Sequence, residues 1–324
     1  MIVYILTIRA AMTEKIAVLI PCYNEETTIV KVINEFCRFV PQAEIYVYDN
    51  NSTDGTAQAA AKAGALVRRE PRQGKGNVVR RMFADVDADI YIMADGDGTY
   101  DISQVPEMIK ELRDNNLDMI VGARKENHAG CYRPGHRLGN RLLTFLVNFF
   151  LKGNLQDILS GLRVFSRRFV KNFPATSRGF EIETEFSIFA LSRRLPIKET
   201  ETDYFPRPEG SVSKLSTWND GVKILKTIIN LVKEERPLLF FTIIATMLFS
   251  GGTALAVPIF VDYARTGLVP RFPTAILITG IMICAVVSFL IGLVLDSIAA
   301  ARKEAAHQNY LHTTQRKTPD EIDF

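Results

Sequence analysis

The chain has 324 residues, with 39 Lys and Arg against 36 Asp and Glu and a formal net charge of +3. So small an imbalance gives no reason to expect a nucleic-acid partner. The four cysteines (Cys22, Cys37, Cys131, Cys284) have no CxxC spacing, which excludes the usual thiolate metal sites and fits reduced thiols in a cytosolic domain.

The first eleven residues, MIVYILTIRAA, are apolar, too short to span a bilayer and without a basic leader. Met12-Thr-Glu-Lys reads as an alternative start, so residues 1–13 are set apart as an extension. Strands are predicted at Ile16 to Ile20, Glu44 to Tyr48, Leu66-Val67, Ile90 to Ala94 and Asp118 to Val121. Helical spacing is found over Glu25 to Phe39, Asp54 to Ala63 (with Asp54 as N-cap), Gly76 to Asp85 and Val105 to Arg113. Strands alternating with helices predict an α/β fold with a mostly parallel sheet covered on both faces. Ligands of such sheets bind beyond the carboxyl ends of the strands. Polar clusters fall at those ends: Tyr23-Asn24-Glu25-Glu26, Asp49-Asn50-Asn51, Asp95-Gly-Asp97 and Arg124-Lys125.

His136 and Arg137 open a further helix with an apolar face at Leu138, Leu142, Leu143, Leu146 and Phe149-Phe150, suited to a bilayer or a lipid chain. Over 219–236, Val222, Leu225, Ile229 and Val232 share a face with Ile228, the pattern of an interfacial amphipathic helix. Leu238 to Val261 and Pro273 to Leu295 follow, 24 and 23 residues without a charge. A helix of about 20 apolar residues crosses a bilayer, so the pair predicts a membrane hairpin rather than two buried helices of a soluble core. Lys223, Lys226, Lys233 and Arg236 precede it, and Arg302 and Lys303 follow it. The positive-inside rule places both termini and the main domain in the cytoplasm, at the inner or cell membrane. Gly251-Gly252 offer small residues for helix contacts, including those of a homo-oligomer. The tail from Ala305 is polar and expected to fray. The predicted organisation is therefore 1–13, 14–218, 219–236, 237–299 and 300–324.

Asp95 and Asp97, two residues apart at a strand end, direct two hard oxygen ligands the same way, a set that suits Mg²⁺ or Mn²⁺. An EF-hand is excluded, because Tyr100 takes the required glycine position and Pro106 that of the terminal glutamate. A Walker loop fails at Arg69 and Gly76, and there is no GxGxxG.

Taken as a set, IPCYNEE at 20–26, YDNNSTDGT at 48–56, GKGN at 74–77 and DGDG at 95–98 resemble the family 2 glycosyltransferases of the GT-A fold over about residues 14 to 215. The resemblance implies that Pro21, Tyr23, Glu25 and Asp49 line the base and ribose pocket of a nucleotide-sugar, that Lys75 contacts the donor, and that Asp95 and Asp97 hold the metal. Gly122-Ala-Arg124, Asp157-Ile-Leu-Ser-Gly-Leu-Arg163 and the Arg207 to Lys214 loop are similar to the polyprenyl-phosphate branch of that family. That likeness implies transfer of one sugar to polyprenyl or dolichyl phosphate. UDP is expected in preference to GDP, with GDP-mannose as the alternative donor. Thr99 stands where many dolichyl-phosphate mannose synthases have a metal-holding glutamine. Arg124, Arg133, Arg137 and Arg163 are the cations expected on the lipid phosphate, since the guanidinium fork suits phosphate. Asp97, Asp157 and Arg163 are the candidate catalytic residues. Asp157 acts as a base or orients a substrate, because a phosphate monoester with a second pKa of ~6 needs no strong base. Glu181 and Glu183 are candidates for donor or helix-cap roles. A polysaccharide synthase of the same fold is disfavoured by the absence of a QxxRW motif around Trp218, and a non-catalytic scaffold by the intact Asp95/Asp97 pair.

Overall fold

The computed structural model describes residues 14–125, 136–207 and 217–313, with the side chains of 136–138, 217–220 and 223 outside that description. The predicted 1–13 extension, Arg133, the side chain of Arg137 and the Ser211–Lys214 stretch lie outside the described residues.

In chain order the elements are β1 (Ile16–Cys22), α1 (Ile29–Phe39), β2 (Glu44–Asp49), α2 (Thr56–Lys62), β3 (Leu66–Arg69), α3 (Lys75–Asp85), β4 (Ile90–Met93), α4 (Val105–Asp114), β5 (Met119–Lys125), α5 (His136–Leu151), β6 (Arg163–Ser166), α6 (Arg167–Asn172), α7 (Ile182–Ser192) and β7 (Ile197–Asp203). Then come α8 (Thr217–Glu235), α9 (Pro237–Thr266) and α10 (Phe272–His312). Asp54 is not the N-cap of α2. It lies just outside, where its carboxylate accepts the Thr56 N–H at 3.0 Å, and Gly55 caps instead.

The strands form one sheet in the order β3-β2-β1-β4-β6-β5-β7. β6 runs antiparallel to both neighbours, with Met93 opposite Arg163, and the other pairings are parallel. The sheet is therefore mixed. Because β6 is reversed, the residues leading into it, 157–162, arrive at the same rim as the loops that leave β1, β2 and β4. β7 runs with β5 and delivers Tyr204 and Arg207 there too.

Successive residues of a strand face opposite ways. Ile16, Val18 and Ile20 join one buried cluster with Ile29, Ile33 and Phe36 of α1, and Ala17 and Leu19 join another. The second contains Phe83, Phe165, Phe169, Phe173 and Phe186, with ring centroids 4.7–5.8 Å apart in successive pairs. Each buried Phe contributes about 1.5–3 kcal/mol by area, so both faces are anchored and the rim loops have a rigid base.

Residues 14–228 and 308–313 group as one compact unit and 229–307 as a second. In the first unit, residues 308–313, part of the tail expected to fray, are tied to the domain. The Tyr310 hydroxyl donates to buried Asp118 at 2.7 Å, the Arg168 guanidinium stacks on the Tyr310 ring, and Asn172 donates to Thr313. Burial and the Asp118 carboxylate both push the Tyr310 hydroxyl's pKa up. α8 is one unbroken helix with two apolar stripes rather than the single expected face. Ile224, Ile228 and Val232 are buried, while Val222, Leu225 and Ile229 are exposed.

In the second unit, α9 and α10 are two helices long and apolar enough to cross a membrane, and most of their surface is exposed. They pack through small residues. A Cβ on Gly252 would meet Met282, and one on Gly292 would meet Phe241 at 2.9 Å, while Gly251 faces open space. The buried positions of α10 are Ile278, Ala285, Gly292 and Ala299, the seven-residue spacing of a coiled-coil seam. Arg302 and Lys303 donate to the carbonyls of Glu234 and Glu235, capping the end of α8.

Candidate active site

Beyond the carboxyl ends of the strands lies a cavity of about 570 Å³. Pro21, Tyr23 and Glu25 of the β1 loop line it. Asp49 does not. It is buried, accepts the Ser52 N–H at 3.2 Å, and the wall beside it is Asn50. Asn50 donates to the carbonyls of Glu70 and Arg72, both at 2.8 Å, and accepts from the Gly74 N–H at 2.7 Å. One side chain thus fixes the loop that enters α3.

The two glycines of GKGN are set by a close approach. A Cβ on Gly74 would sit 2.2 Å from the Arg178 carbonyl, and one on Gly76 2.2 Å from that of Ser177. Gly74 also has φ +125°, a left-handed conformation that side chains resist. The 177–178 backbone therefore presses on the start of α3, and Lys75 is driven inward. Its ammonium pairs with Asp95 and, at 2.5 Å, with Glu183. Burial works against that charge, but the two carboxylates outweigh it and raise the pKa of Lys75. Glu185 holds the pressing loop from below by accepting the N–H groups of Thr176 and Ser177, both at 2.8 Å.

Asp95 and Asp97 both line the cavity. Burial and the neighbouring Asp95 raise the Asp97 carboxyl's pKa against the pull of Arg207. Arg207 pairs with Asp97 Oδ2 at 2.6 Å. Thr99 does not face the cavity as a ligand. It is buried, and its hydroxyl donates to Asp97 Oδ1 at 2.7 Å, which orients the carboxylate. Among the described residues no three His, Cys, Asp or Glu form a metal cage. Two crowded carboxylates nevertheless fit Mg²⁺ or Mn²⁺, since such ions take one or two protein carboxylates and leave the remaining positions to phosphate oxygens and water.

Arg124 lines the cavity and is gripped by Asp157. Its Nε meets Oδ2 at 2.6 Å and its Nη2 meets Oδ1 at 2.8 Å, and Asn140 of α5 adds a bond to Oδ1 at 3.1 Å. Burial pushes the Asp157 carboxyl up, but the Arg124 guanidinium prevails and holds its pKa below the usual range. Asp157 is not on the cavity wall, and its oxygens are spent on Arg124. Arg163 corrects the sequence reading. It is fully buried in β6, where its guanidinium donates to the carbonyls of Ser160 and Ile158 and to the Ser187 hydroxyl. Burial pushes its pKa down to about 10. It braces the 157–162 turn from behind and is not on the cavity wall. The sequence missed Asn50, Gln73, Arg178 and Tyr204 as wall residues. The polar run Asp49-Asn50-Asn51 was the available signal for the first, and no local pattern pointed to the others.

The sequence profile of glycosyl transferase family 2 matches residues 17–173. Glycosyltransferase AglJ of Haloferax volcanii is 31% identical over 293 residues, which are 90% of this chain and 96% of that protein. The dolichyl-phosphate hexose transferase of the same organism is 27% identical over 224 residues, 69% of this chain and 96% of that protein. Among solved structures, the glucosyl-3-phosphoglycerate synthase of Mycobacterium tuberculosis, in complex with Mn²⁺, UDP-glucose and phosphoglyceric acid, superposes with a TM-score of 0.55 at 22% identity, covering 69% of this chain and 81% of that one. At that identity the likeness shows a shared GT-A-like fold.

Proposed function

The chain belongs to glycosyl transferase family 2, and from that premise we propose that it transfers a single hexose from a nucleotide-sugar, with inversion, to polyprenyl or dolichyl phosphate at the cytoplasmic face of the cell membrane. One observation carries the reading. Arg124, a guanidinium held in place by a buried carboxylate, lines the same cavity as the Asp95/Asp97 pair. A site for an anionic acceptor thus stands beside a site for a donor's diphosphate. The dolichyl-phosphate acceptor named for one relative and the two apolar helices support a lipid phosphate over a soluble one. A UDP-sugar is preferred to GDP-mannose because the chain's resemblance to the mannose synthases is the less close one.

In this scheme Pro21, Tyr23, Glu25 and Asn50 hold the nucleoside end of the donor. Asp95 and Asp97 would hold Mg²⁺ or Mn²⁺, whose charge offsets that of the departing diphosphate. Thr99 aims Asp97, and Arg207 lies against the same carboxylate ready to meet phosphate oxygens. Arg124 orients the acceptor, already ionised near neutral pH. One of its phosphate oxygens bonds to the anomeric carbon while the bond from that carbon to the donor's phosphate oxygen breaks. The nucleoside diphosphate leaves with the electron pair, and no proton has to be removed.

The test is transfer from radiolabelled UDP-glucose, UDP-galactose, UDP-N-acetylglucosamine and GDP-mannose to polyprenyl phosphate in detergent. Label in the lipid phase from one donor, dependent on Mg²⁺ or Mn²⁺, is expected. Asp97→Asn should abolish it while the chain stays folded. Label retained at normal rate in Asp97→Asn, or incorporated only into long polymer, overturns the reading.

A further inference from the structure

Glu183 is the second residue of α7, and only 4% of its surface is exposed, yet it lines the cavity. Its two oxygens are unequal. Oε1 receives the Lys75 ammonium at 2.5 Å, and Oε2 is buried with no hydrogen-bond partner. A buried carboxylate oxygen without a donor is rare in folded proteins and calls for one. Neighbouring Glu181 is a different case, since its carboxylate is used inside its own turn on the N–H groups of Arg178 and Gly179.

We propose that Glu183 Oε2 accepts a hydrogen bond from a hydroxyl of the transferred sugar, making Glu183 a specificity-determining residue of the donor site. The argument is one of chemistry and place. A carboxylate oxygen with vacant lone pairs attracts O–H groups and repels phosphate, so its ligand is a hydroxylated, uncharged part of the donor. Lys75 joins Glu183 to Asp95, the carboxylate assigned to the diphosphate end of the donor. The group bonded to that end of a nucleotide-sugar is the sugar. The ribose lies at the other end, by Tyr23, Glu25 and Asn50. Lys75 also fixes which oxygen faces the ligand, because its ammonium can only donate and so occupies Oε1.

The inference rests on the donor's being a nucleotide-sugar and on nothing about the acceptor, so the experiment omits lipid. Calorimetry with Mn²⁺ would compare wild type and Glu183→Gln for UDP, UDP-glucose and the 2-, 3-, 4- and 6-deoxy analogues of UDP-glucose, and likewise for GDP, GDP-mannose and its deoxy analogues. In Glu183→Gln the Lys75 ammonium keeps the amide oxygen at the Oε1 position, so an NH₂ donor replaces the acceptor. The expected result is a loss of about tenfold or more in affinity for the intact sugar nucleotide, with the free nucleotide unchanged within about twofold. For one deoxy analogue, wild type should show the same loss and Glu183→Gln no further one. Glu183→Asp, which keeps the charge beside Lys75 but withdraws the carboxylate, should behave alike at an unchanged melting temperature. Equal weakening of the free nucleotide would assign Glu183 to the ribose or to the Lys75 pair alone and overturn the proposal. So would a loss that no deoxy position abolishes, or wild-type binding of both sugar nucleotides no tighter than their free nucleotides.

Discussion

If Asp157 works only by holding Arg124, Asp157→Asn should cost activity in wild type and nothing more once Arg124 is gone. The carboxylate receives Arg124 at 2.6 and 2.8 Å, with Asn140 and the Leu159 N–H also on Oδ1. An asparagine keeps one oxygen and turns an NH₂ toward the guanidinium, so at least one charge-assisted bond is lost whichever way the amide turns. Such a bond is worth roughly 1.5–3 kcal/mol, and about 1.4 kcal/mol is tenfold. If that energy is what aims Arg124, kcat/KM for lipid phosphate should fall by about 10- to 150-fold. Leaving a buried charge short of its partner costs up to about 3–5 kcal/mol of stability. At about 2–4 °C per kcal/mol, the catalytic unit should melt roughly 6–20 °C lower. Asp157's folded pKa is depressed, so its stabilising share is complete above the unfolded value of about 3.9 and is lost only as pH falls through the lower folded value. Neutral and mildly acidic assays therefore compare like with like. The assay is a double-mutant cycle of Asp157→Asn and Arg124→Ala with label transfer as readout. Positioning predicts that the double variant equals Arg124→Ala. If the two losses multiply, Asp157 acts on the substrates directly and the positioning account fails.

Arg163→Met should destabilise the chain, because the carbonyls of Ser160 and Ile158 and the Ser187 hydroxyl lose their donor at ~1–3 kcal/mol each. The lipid-phosphate KM of the folded fraction should stay unchanged, and a rise of tenfold or more would return Arg163 to the acceptor site. Gly76→Ala brings a methyl 2.2 Å from the Ser177 carbonyl; nucleotide affinity should fall together with the melting temperature, and a variant with both at wild-type values would show that the 177–178 backbone yields freely. Cysteine labelling should reach Ala264→Cys only from outside and Ala305→Cys only from the cytoplasm, and labelling of both from one side would remove the hairpin.

The alternating strands and helices, the polar clusters at the strand ends and the two charge-free runs are local patterns, set by the 2.0 and 3.6 periodicities and by the length of a bilayer span. They were legible in the sequence, as were the Asp95/Asp97 pair and Arg124 at the rim. Tertiary structure decided what each charge meets. Arg163 and Arg124 look alike in the sequence, each the arginine closing a matched motif. Yet Arg163 points into the core from β6, and Arg124 opens onto the cavity. Asp157 read as a base or a substrate-orienting residue until the antiparallel course of β6 turned its loop onto Arg124. Lys75 and Glu183 come from distant helices, and no spacing rule joins them. They meet because the 177–178 backbone lies against two glycines of α3's entry. A charge's role depends on its partner and its burial, and both are fixed only when segments far apart in the chain close around the same volume.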